Sequence, residues 1–169
     1  MFIPNKYAET PIFLHRTIAA LIIGNCLLGL VFQIIPNDYM RFVIDTHKSF
    51  GITILILVLI RVLWGMSYPA PQLSRNHARV EISGAKLGRT VLYFLMIALP
   101  LSGWMHDSAS KDAAARPMIL FWSIQWPHIP LIVNIDAVSK EYLHDLFRQI
   151  HTISSYVLYG VLALHISDE

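Results

Sequence analysis

Four long apolar segments limit what this chain can fold into. No charged side chain occurs between Arg16 and Asp38, and nineteen uncharged residues separate Arg148 from Asp168. About 20 apolar residues in an α-helix are enough to cross the hydrocarbon core of a bilayer. Of the 169 residues, 55% are hydrophobic and 14% are charged, which leaves too little polar surface to cover a water-soluble domain. We therefore predict an all-α fold, a membrane four-helix bundle with cofactors between the helices.

The segments divide one predicted domain, residues 1–169, into helices at about 11–35, 45–66, 87–106 and 142–167. Pro11 suits the start of the first helix and Pro36 its end. The third helix contains Pro100, which membrane helices tolerate when neighbours satisfy the freed backbone groups. The connection before the fourth helix is too broken to span, and its Trp122 and Trp126 fit the membrane interface.

The loop charges predict the orientation of the bundle. The loop between helices two and three, with its flanks, carries five basic residues against Glu81 alone: Arg61, Arg75, Arg79, Lys86 and Arg89. The connection between helices three and four carries more acidic than basic residues. The positive-inside rule puts the first loop in the cytoplasm. Both chain termini are then expected to be cytoplasmic.

Four histidines lie at two depths of this bundle. His15 opens helix one and His47 opens helix two, while His151 and His165 are fourteen residues apart on helix four. That spacing is almost four turns and a rise of about 21 Å. Depth then pairs His47 with His151 on the outer side and His15 with His165 on the cytoplasmic side. His144, about 10 Å further out than His151, is the rival outer ligand.

Two separated histidine pairs favour two haem irons over zinc. A haem iron takes two axial ligands from the protein, and a centre with both positions filled favours electron transfer over oxygen binding. Zinc takes three or four protein ligands in one cluster. A single histidine at a helix end is more often interfacial than a ligand, so the interpretation depends on the matched set of four. His106, at the end of helix three, is expected at the interface.

Basic residues are candidates for the haem propionates. Arg61 follows His47 by fourteen residues, which puts it on the same helix face near the cytoplasmic-side pair. Its guanidinium suits a propionate, although snorkelling to the headgroups is an equal alternative. Arg89 lies at a similar depth. Lys48 and Arg148 flank the outer pair and are weaker candidates.

The chain resembles the bacterial cytochrome b561 family of di-haem membrane proteins over nearly its whole length. The resemblance rests on His15, on HKSFGITILILVLIRVLW from His47, on YPAPQ after it, on LYFLMIALPLSGWM, and on LHDLFRQIHTISSYVLYGVLALH, which ends at His165. It implies a four-helix bundle in the bacterial inner membrane with two b haems on the four histidines. It also implies electron exchange between a quinone pool and a partner protein or small oxidant. One activity of the family is superoxide oxidation with reduction of ubiquinone.

Three features depart from the family's pattern. Gly65 follows the helix-two tryptophan, where relatives often have a basic residue, and Lys86 and Arg89 replace histidines often found at the start of helix three. Relatives also continue helix four well past its second histidine, whereas this sequence ends at Glu169. We expect the sequence to be truncated after helix four. The outer haem is therefore the firmer expectation of the two.

The sequence leaves several functions open. The first is a di-haem carrier that moves electrons between a quinone pool and a small molecule such as superoxide, which Lys48 and Arg148 would attract. The second is a cytochrome b subunit that relays electrons for a partner dehydrogenase or hydrogenase. A haem-free membrane anchor, a metal-ion carrier and a relative with the outer haem alone are further alternatives. Whether the protein is an enzyme depends on a quinone or superoxide site that the sequence does not locate. Nothing in the sequence indicates binding to nucleic acid.

Overall fold

A computed structural model describes residues 6–32, 34–67 and 79–167 of the chain. Its elements, in chain order, are α1 (Lys6–Val31), α2 (Asn37–Ser67), α3 (Arg79–Ser108), β1 (Met118–Leu120), β2 (Ile124–Trp126), α4 (Pro130–Val133) and α5 (Ala137–Ser167). The long helices α1, α2, α3 and α5 each contain a stretch that is long and apolar enough to cross a membrane. The predicted all-α membrane four-helix bundle is confirmed.

The first two long helices meet at a proline and not at the predicted positions. α1 ends at Val31, before the predicted residue 35. Its last helical hydrogen bond runs from the Ile35 amide to the Val31 carbonyl (3.1 Å), because Pro36 has no N–H to continue the ladder. α2 begins at Asn37, about eight residues before the predicted start. The amide of Tyr39 already donates to the carbonyl of Pro36 (3.1 Å), so the helix starts directly after the proline.

The last two long helices also begin earlier than predicted, at Arg79 and Ala137. Apolar runs mark only the part of a helix that lies in the hydrocarbon core, and charged residues extend both helices beyond it. The segment 68–78, with Arg75, His77 and the YPAPQ motif, lies outside the described residues. The cytoplasmic position of this loop and of the termini therefore stays a prediction.

The long helices pack in chain order, α1 on α2, α2 on α3 and α3 on α5. Lipid tails are as apolar as leucine side chains, so helices in a membrane associate through close packing at small residues. Gly24 in α1 faces Phe50 in α2, and Gly51 in α2 faces Asn25 in α1. A buried apolar cluster joins all four helices and consists of Ile18, Ile22, Ile54, Val58, Leu95, Leu99 and Leu158.

A small β-hairpin in the connection after α3 covers the outer part of α2. Its strands pair antiparallel, and two of the three turn residues, Phe121 and Trp122, have positive φ angles (47° and 59°). Left-handed backbone costs about 1–2 kcal/mol for a non-glycine residue. The structure offsets this through the Phe121 amide, which donates to the buried Ser49 hydroxyl (2.8 Å), and through stacking of Trp122 on Phe42. The sequence did not predict this hairpin.

Candidate functional site

The rings of His47 on α2 and His151 on α5 lie edge to face, at the end of the bundle that the loop charges predict to be outer. Their centroids are 6.1 Å apart and their planes are 76° from parallel. Metal–imidazole bonds are about 2 Å long, as for zinc, so two rings that bind one ion from opposite sides have centroids about 6 Å apart. The separation of the two rings therefore fits a single iron between them.

Backbone carbonyls fix the proton on each of these rings. Nδ1–H of His47 donates to the Asn25 carbonyl oxygen (3.2 Å), and Nδ1–H of His151 donates to the Leu99 carbonyl oxygen (3.0 Å). A carbonyl oxygen can only accept, so Nδ1 carries the proton in each neutral ring. Nε2 is then left with a free lone pair, which is the arrangement that ligating histidines usually have.

A cavity of about 560 Å³ lies beside the two rings and is bounded by all four long helices. Two glycines lie against the rings, and one of them, Gly103, lines the cavity. A Cβ on Gly103 would lie 3.3 Å from Cε1 of His151, and a Cβ on Gly29 would lie 3.5 Å from Cε1 of His47. The side-chain oxygen of Asn25, a cavity residue, is buried without a hydrogen-bond partner. The shape, the two free Nε2 lone pairs and this oxygen fit a large bound cofactor.

Three basic residues line the cavity at its outer end, and each has a carboxylate partner. Nζ of Lys48 donates to Oδ1 of Asp107 (2.5 Å) and joins α2 to α3. Arg148 pairs with Asp145 (3.2 Å), and Arg41 lies 3.8 Å from the carboxylate of Asp45. The predicted propionate candidates Lys48 and Arg148 are thus at the cavity, together with Arg41, which the sequence analysis missed. The paired acids lower the net positive charge there.

The inner histidines have a different environment. Nη1 of Arg61 donates to Nδ1 of His15 (2.7 Å), and the Arg61 guanidinium lies over the Tyr93 ring. An arginine cannot accept a hydrogen bond, so Nδ1 of His15 is the acceptor and the neutral ring carries its proton on Nε2. His165 is half-buried in the last turn of α5, and Arg89 is exposed. Arg61 therefore lies beside His15, and its role at a haem propionate stays a prediction.

Two other outer histidines form a stacked pair. The rings of His106 and His144 have centroids 4.0 Å apart, and Nδ1 of His106 donates to the His144 carbonyl oxygen (3.0 Å). His106 was expected at the membrane interface, but it also lines the cavity. Among the described residues that line the cavity, the histidines are His47, His106 and His151. This lining supports His151 over His144 as the outer ligand.

The side chains favour haem over a bare metal ion. Within residues 6–32, 34–67 and 79–167, no group of three or more His, Cys, Asp or Glu converges to hold an ion. Two imidazoles are too few for a structural zinc site, but they are the full axial set of a haem iron.

Several residues that shape the site were not predicted from sequence. The carbonyls of Asn25 and Leu99 orient the ligand rings, and Gly29 and Gly103 make room beside them. The hydroxyl of Ser102 lies 3.1 Å from Nδ1 of His151. Gly103 and Ser102 fall within the PLSGWM part of helix three, which was quoted only as a family motif, and backbone carbonyls leave no trace in the residue type.

The comparisons with known proteins agree with the geometry. The family described as prokaryotic cytochrome b561 matches residues 6–167. The chain is 30% identical over 130 residues to "Probable superoxide oxidase CybB" of Yersinia pestis, covering 77% of this chain and 67% of that protein. It is 27% identical over 120 residues to "Cytochrome b561 homolog 2" of Escherichia coli (strain K12), covering 70% of this chain and 62% of that protein.

Proposed function

Because the chain belongs to the prokaryotic cytochrome b561 family, we propose that it is a di-haem b-type membrane cytochrome that transfers electrons between a quinone pool and superoxide. The family itself implies haem b binding and a bacterial membrane protein. The proposal includes two haems, a quinone and superoxide as redox partners, and a location in the inner membrane with cytoplasmic termini.

The observation that carries the proposal is the opposed pair His47 and His151. Their ring centroids are 6.1 Å apart, both residues line the cavity bounded by the four long helices, and each neutral ring carries its proton on Nδ1. A haem b bound there would be held by His47 and His151 and would supply one-electron transfer. The carbonyls of Asn25 and Leu99 hold the two rings in their orientation.

The second site of the proposal uses His15 and His165. His165 follows His151 by fourteen residues on α5, a rise of about 21 Å along the helix. Arg61, now on His15, would have to release Nδ1 and turn to a propionate when Nε2 of His15 binds iron. Because Arg61 occupies Nδ1 of His15, this site is the less supported of the two.

The relative named as a probable superoxide oxidase supports superoxide as the small molecule at the outer side. In the proposed reaction, each of two superoxide anions loses one electron and becomes dioxygen. The two electrons, with two protons, reduce one quinone to quinol. The residues Arg41, Lys48 and Arg148 at the outer end of the cavity would raise the local concentration of the anion, within the limit that their carboxylate partners set.

The test is the haem content per chain, measured by pyridine haemochrome assay on the purified protein and on the His151→Ala and His165→Ala variants. We expect two b haems in the wild type and the loss of one in each variant. One haem that is lost only in His151→Ala would leave the outer site alone and exclude a relay across the bilayer. A colourless wild-type protein would return the chain to the anchor or metal-carrier alternatives.

A second measurement separates the proposed electron carrier from a subunit of a larger enzyme. We expect superoxide to reduce the purified protein, and added ubiquinone to reoxidise it. No reaction with superoxide, together with co-purification of a dehydrogenase or hydrogenase in mild detergent, would contradict the proposal and favour the subunit.

A further inference from the structure

The two outer histidines are held by different hydrogen-bond partners. The bond that the structure gives Nδ1 of His47 goes to the Asn25 carbonyl. Nδ1 of His151 has two acceptors, the Leu99 carbonyl at 3.0 Å and the Ser102 hydroxyl at 3.1 Å. The two rings of the outer pair therefore differ in their hydrogen bonding, although they match in depth.

The Ser102 hydroxyl closes a triangle with the other two groups. Its hydrogen goes to the Leu99 carbonyl (2.8 Å), so its oxygen lone pairs remain to accept from His151. Ser102 is only 4% exposed. Serine hydroxyls inside helices commonly bond to the carbonyl three or four residues earlier. Here the same hydroxyl also reaches a ring on the neighbouring helix.

From this geometry we propose that Ser102 is a positioning residue of the outer centre, which orients the His151 ring and tunes its strength as an iron ligand. A hydrogen bond to the N–H of a ligating imidazole makes the ring more basic. A more basic ligand stabilises the ferric state over the ferrous state and lowers the reduction potential. This inference rests on the proposed function, because it requires iron at Nε2 of His151.

The test compares Ser102→Ala with Ser155→Ala in the purified, haem-loaded protein. Ser155 is a matched control, because it also lines the cavity and its hydroxyl bonds to the backbone carbonyl of His151 (2.8 Å) and not to the ring. We expect Ser102→Ala to favour the ferrous outer haem by about three- to tenfold, which is about 30–60 mV at 59 mV per tenfold for one electron. Its low-spin ferric EPR signal should change as well, because the ring angle is no longer fixed. Ser155→Ala should change neither.

Two further substitutions of Ser102 test whether the hydroxyl itself is responsible. Ser102→Thr keeps the hydroxyl and should restore the wild-type potential and EPR signal, whereas Ser102→Cys, with a weaker acceptor, should fall between wild type and Ser102→Ala. Wild-type values in Ser102→Ala, or equal shifts in Ser102→Ala and Ser155→Ala, would overturn the inference. Failure of both Ser102→Ala and Ser102→Cys to accumulate in the membrane would show a purely structural role and overturn it as well.

The same experiment keeps the inference separate from the proposed function. A wild-type protein without haem would refute the proposed function, and the role of Ser102 would be refuted with it. If His151→Ala loses one haem but Ser102→Ala keeps the wild-type reduction potential and EPR signal, the proposed function is unaffected. Only the positioning role would then be wrong.

Discussion

The outer pair, His47 and His151, and the inner histidine, His15, carry their protons on opposite ring nitrogens. In the outer pair both Nδ1–H groups donate to backbone carbonyls, which leaves Nε2 free in the neutral rings. Arg61 instead donates to Nδ1 of His15, so the neutral inner ring carries its proton on Nε2. Only the first arrangement presents the Nε2 lone pair to a metal without rearrangement.

Histidines at equivalent positions on their helices are therefore not equivalent ligands. The partner of Nδ1 decides which nitrogen is available, and this partner is a fixed carbonyl at one site and a long, movable side chain at the other. A carbonyl of a helix cannot turn away, whereas an arginine side chain has several rotatable bonds. We infer that the outer site is ready for iron, while the inner site requires Arg61 to move.

Filling the space beside His151 should cost the protein its outer haem. A Cβ on Gly103 would be 3.3 Å from Cε1 and 3.4 Å from Nδ1 of the His151 ring, which is closer than ordinary contact. Gly103→Leu should abolish the outer centre, and Gly103→Ala should lose part of it, because the ring must shift by a few tenths of an ångström. The measurement is haem content together with the reduced-minus-oxidised spectrum.

Two other glycines are the controls for this experiment. Gly29→Ala, with its contact to His47 at 3.5 Å, should have a weaker effect than Gly103→Ala. Gly160 on α5 has no atom within 4 Å of its ideal Cβ, so Gly160→Ala should leave the haem content unchanged. Full haem content in Gly103→Leu would contradict the proposed position of an iron between the two outer rings.

The next effect concerns the inner site alone. Arg61→Met removes the charged donor that the proposal assigns to a propionate of the inner haem. We expect haem retention at the inner site to fall about ten- to a hundredfold, because a hydrogen bond to a charged group contributes about 1.5–3 kcal/mol. The outer spectrum should not change. Arg89→Met, at an exposed position of similar predicted depth, is the control. Stronger haem binding in Arg61→Met would show that Arg61 only blocks His15, and it would sharpen the difference between the sites.

Most of the fold was accessible from sequence because bilayer thickness leaves few alternatives for four long apolar segments. The helix ends were less accessible. Pro36 stops α1 at Val31, whereas the polar ends of α2, α3 and α5 extend further than their apolar runs. The hairpin was missed because its turn uses Phe121 and Trp122 in place of the glycine or asparagine that usually marks such turns.

Only the part of the candidate site that follows from helical spacing could be predicted from the sequence. A rise of 1.5 Å per residue is enough to match His47 with His151 in depth. It does not give the hydrogen-bond partner of a ring, because the carbonyls of Asn25 and Leu99 belong to neighbouring helices. For the same reason the sequence could not distinguish the tautomer of His15 from that of His151.

A smaller effect is expected from the charges at the outer end of the cavity. Lys48→Glu combined with Arg148→Glu should slow reduction by superoxide about three- to tenfold at low ionic strength, and the difference should shrink as salt is added. The effect is limited because Asp107 and Asp145 already pair with these residues. Arg116→Glu, whose partner Asp112 lies in the exposed connection, is the control. Equal rates and equal salt dependence in all three proteins would exclude steering of superoxide by Lys48 and Arg148.

The smallest effect lies at the start of α5, far from either pair. Oδ1 of Asp136 accepts from the amides of Ser139 (3.0 Å) and Val138 (3.1 Å) and caps this helix. Hydrogen bonds from the side chain and then the backbone of Ser139 lower the pKa of Asp136 below its ordinary value. The charged cap therefore stabilises the first turn of α5 fully above the ordinary Asp pKa, near 3.9, and this stabilisation is lost as the pH falls through the lowered value.

Three proteins test this cap by hydrogen exchange at the amides of Val138 and Ser139. In the wild type, protection should fall on acidification. Asp136→Asn keeps a good capping side chain without a titrating group, so its protection should not depend on pH in this range. Asp136→Ala should be poorly protected at every pH.

Because α5 continues for about four turns before His151, fraying of its first turn should leave the outer haem spectrum unchanged in all three. A change in that spectrum on acidification in the wild type but not in Asp136→Asn would show that the start of α5 and the outer centre are coupled, and the sharp separation between the two ends of this helix would then be wrong.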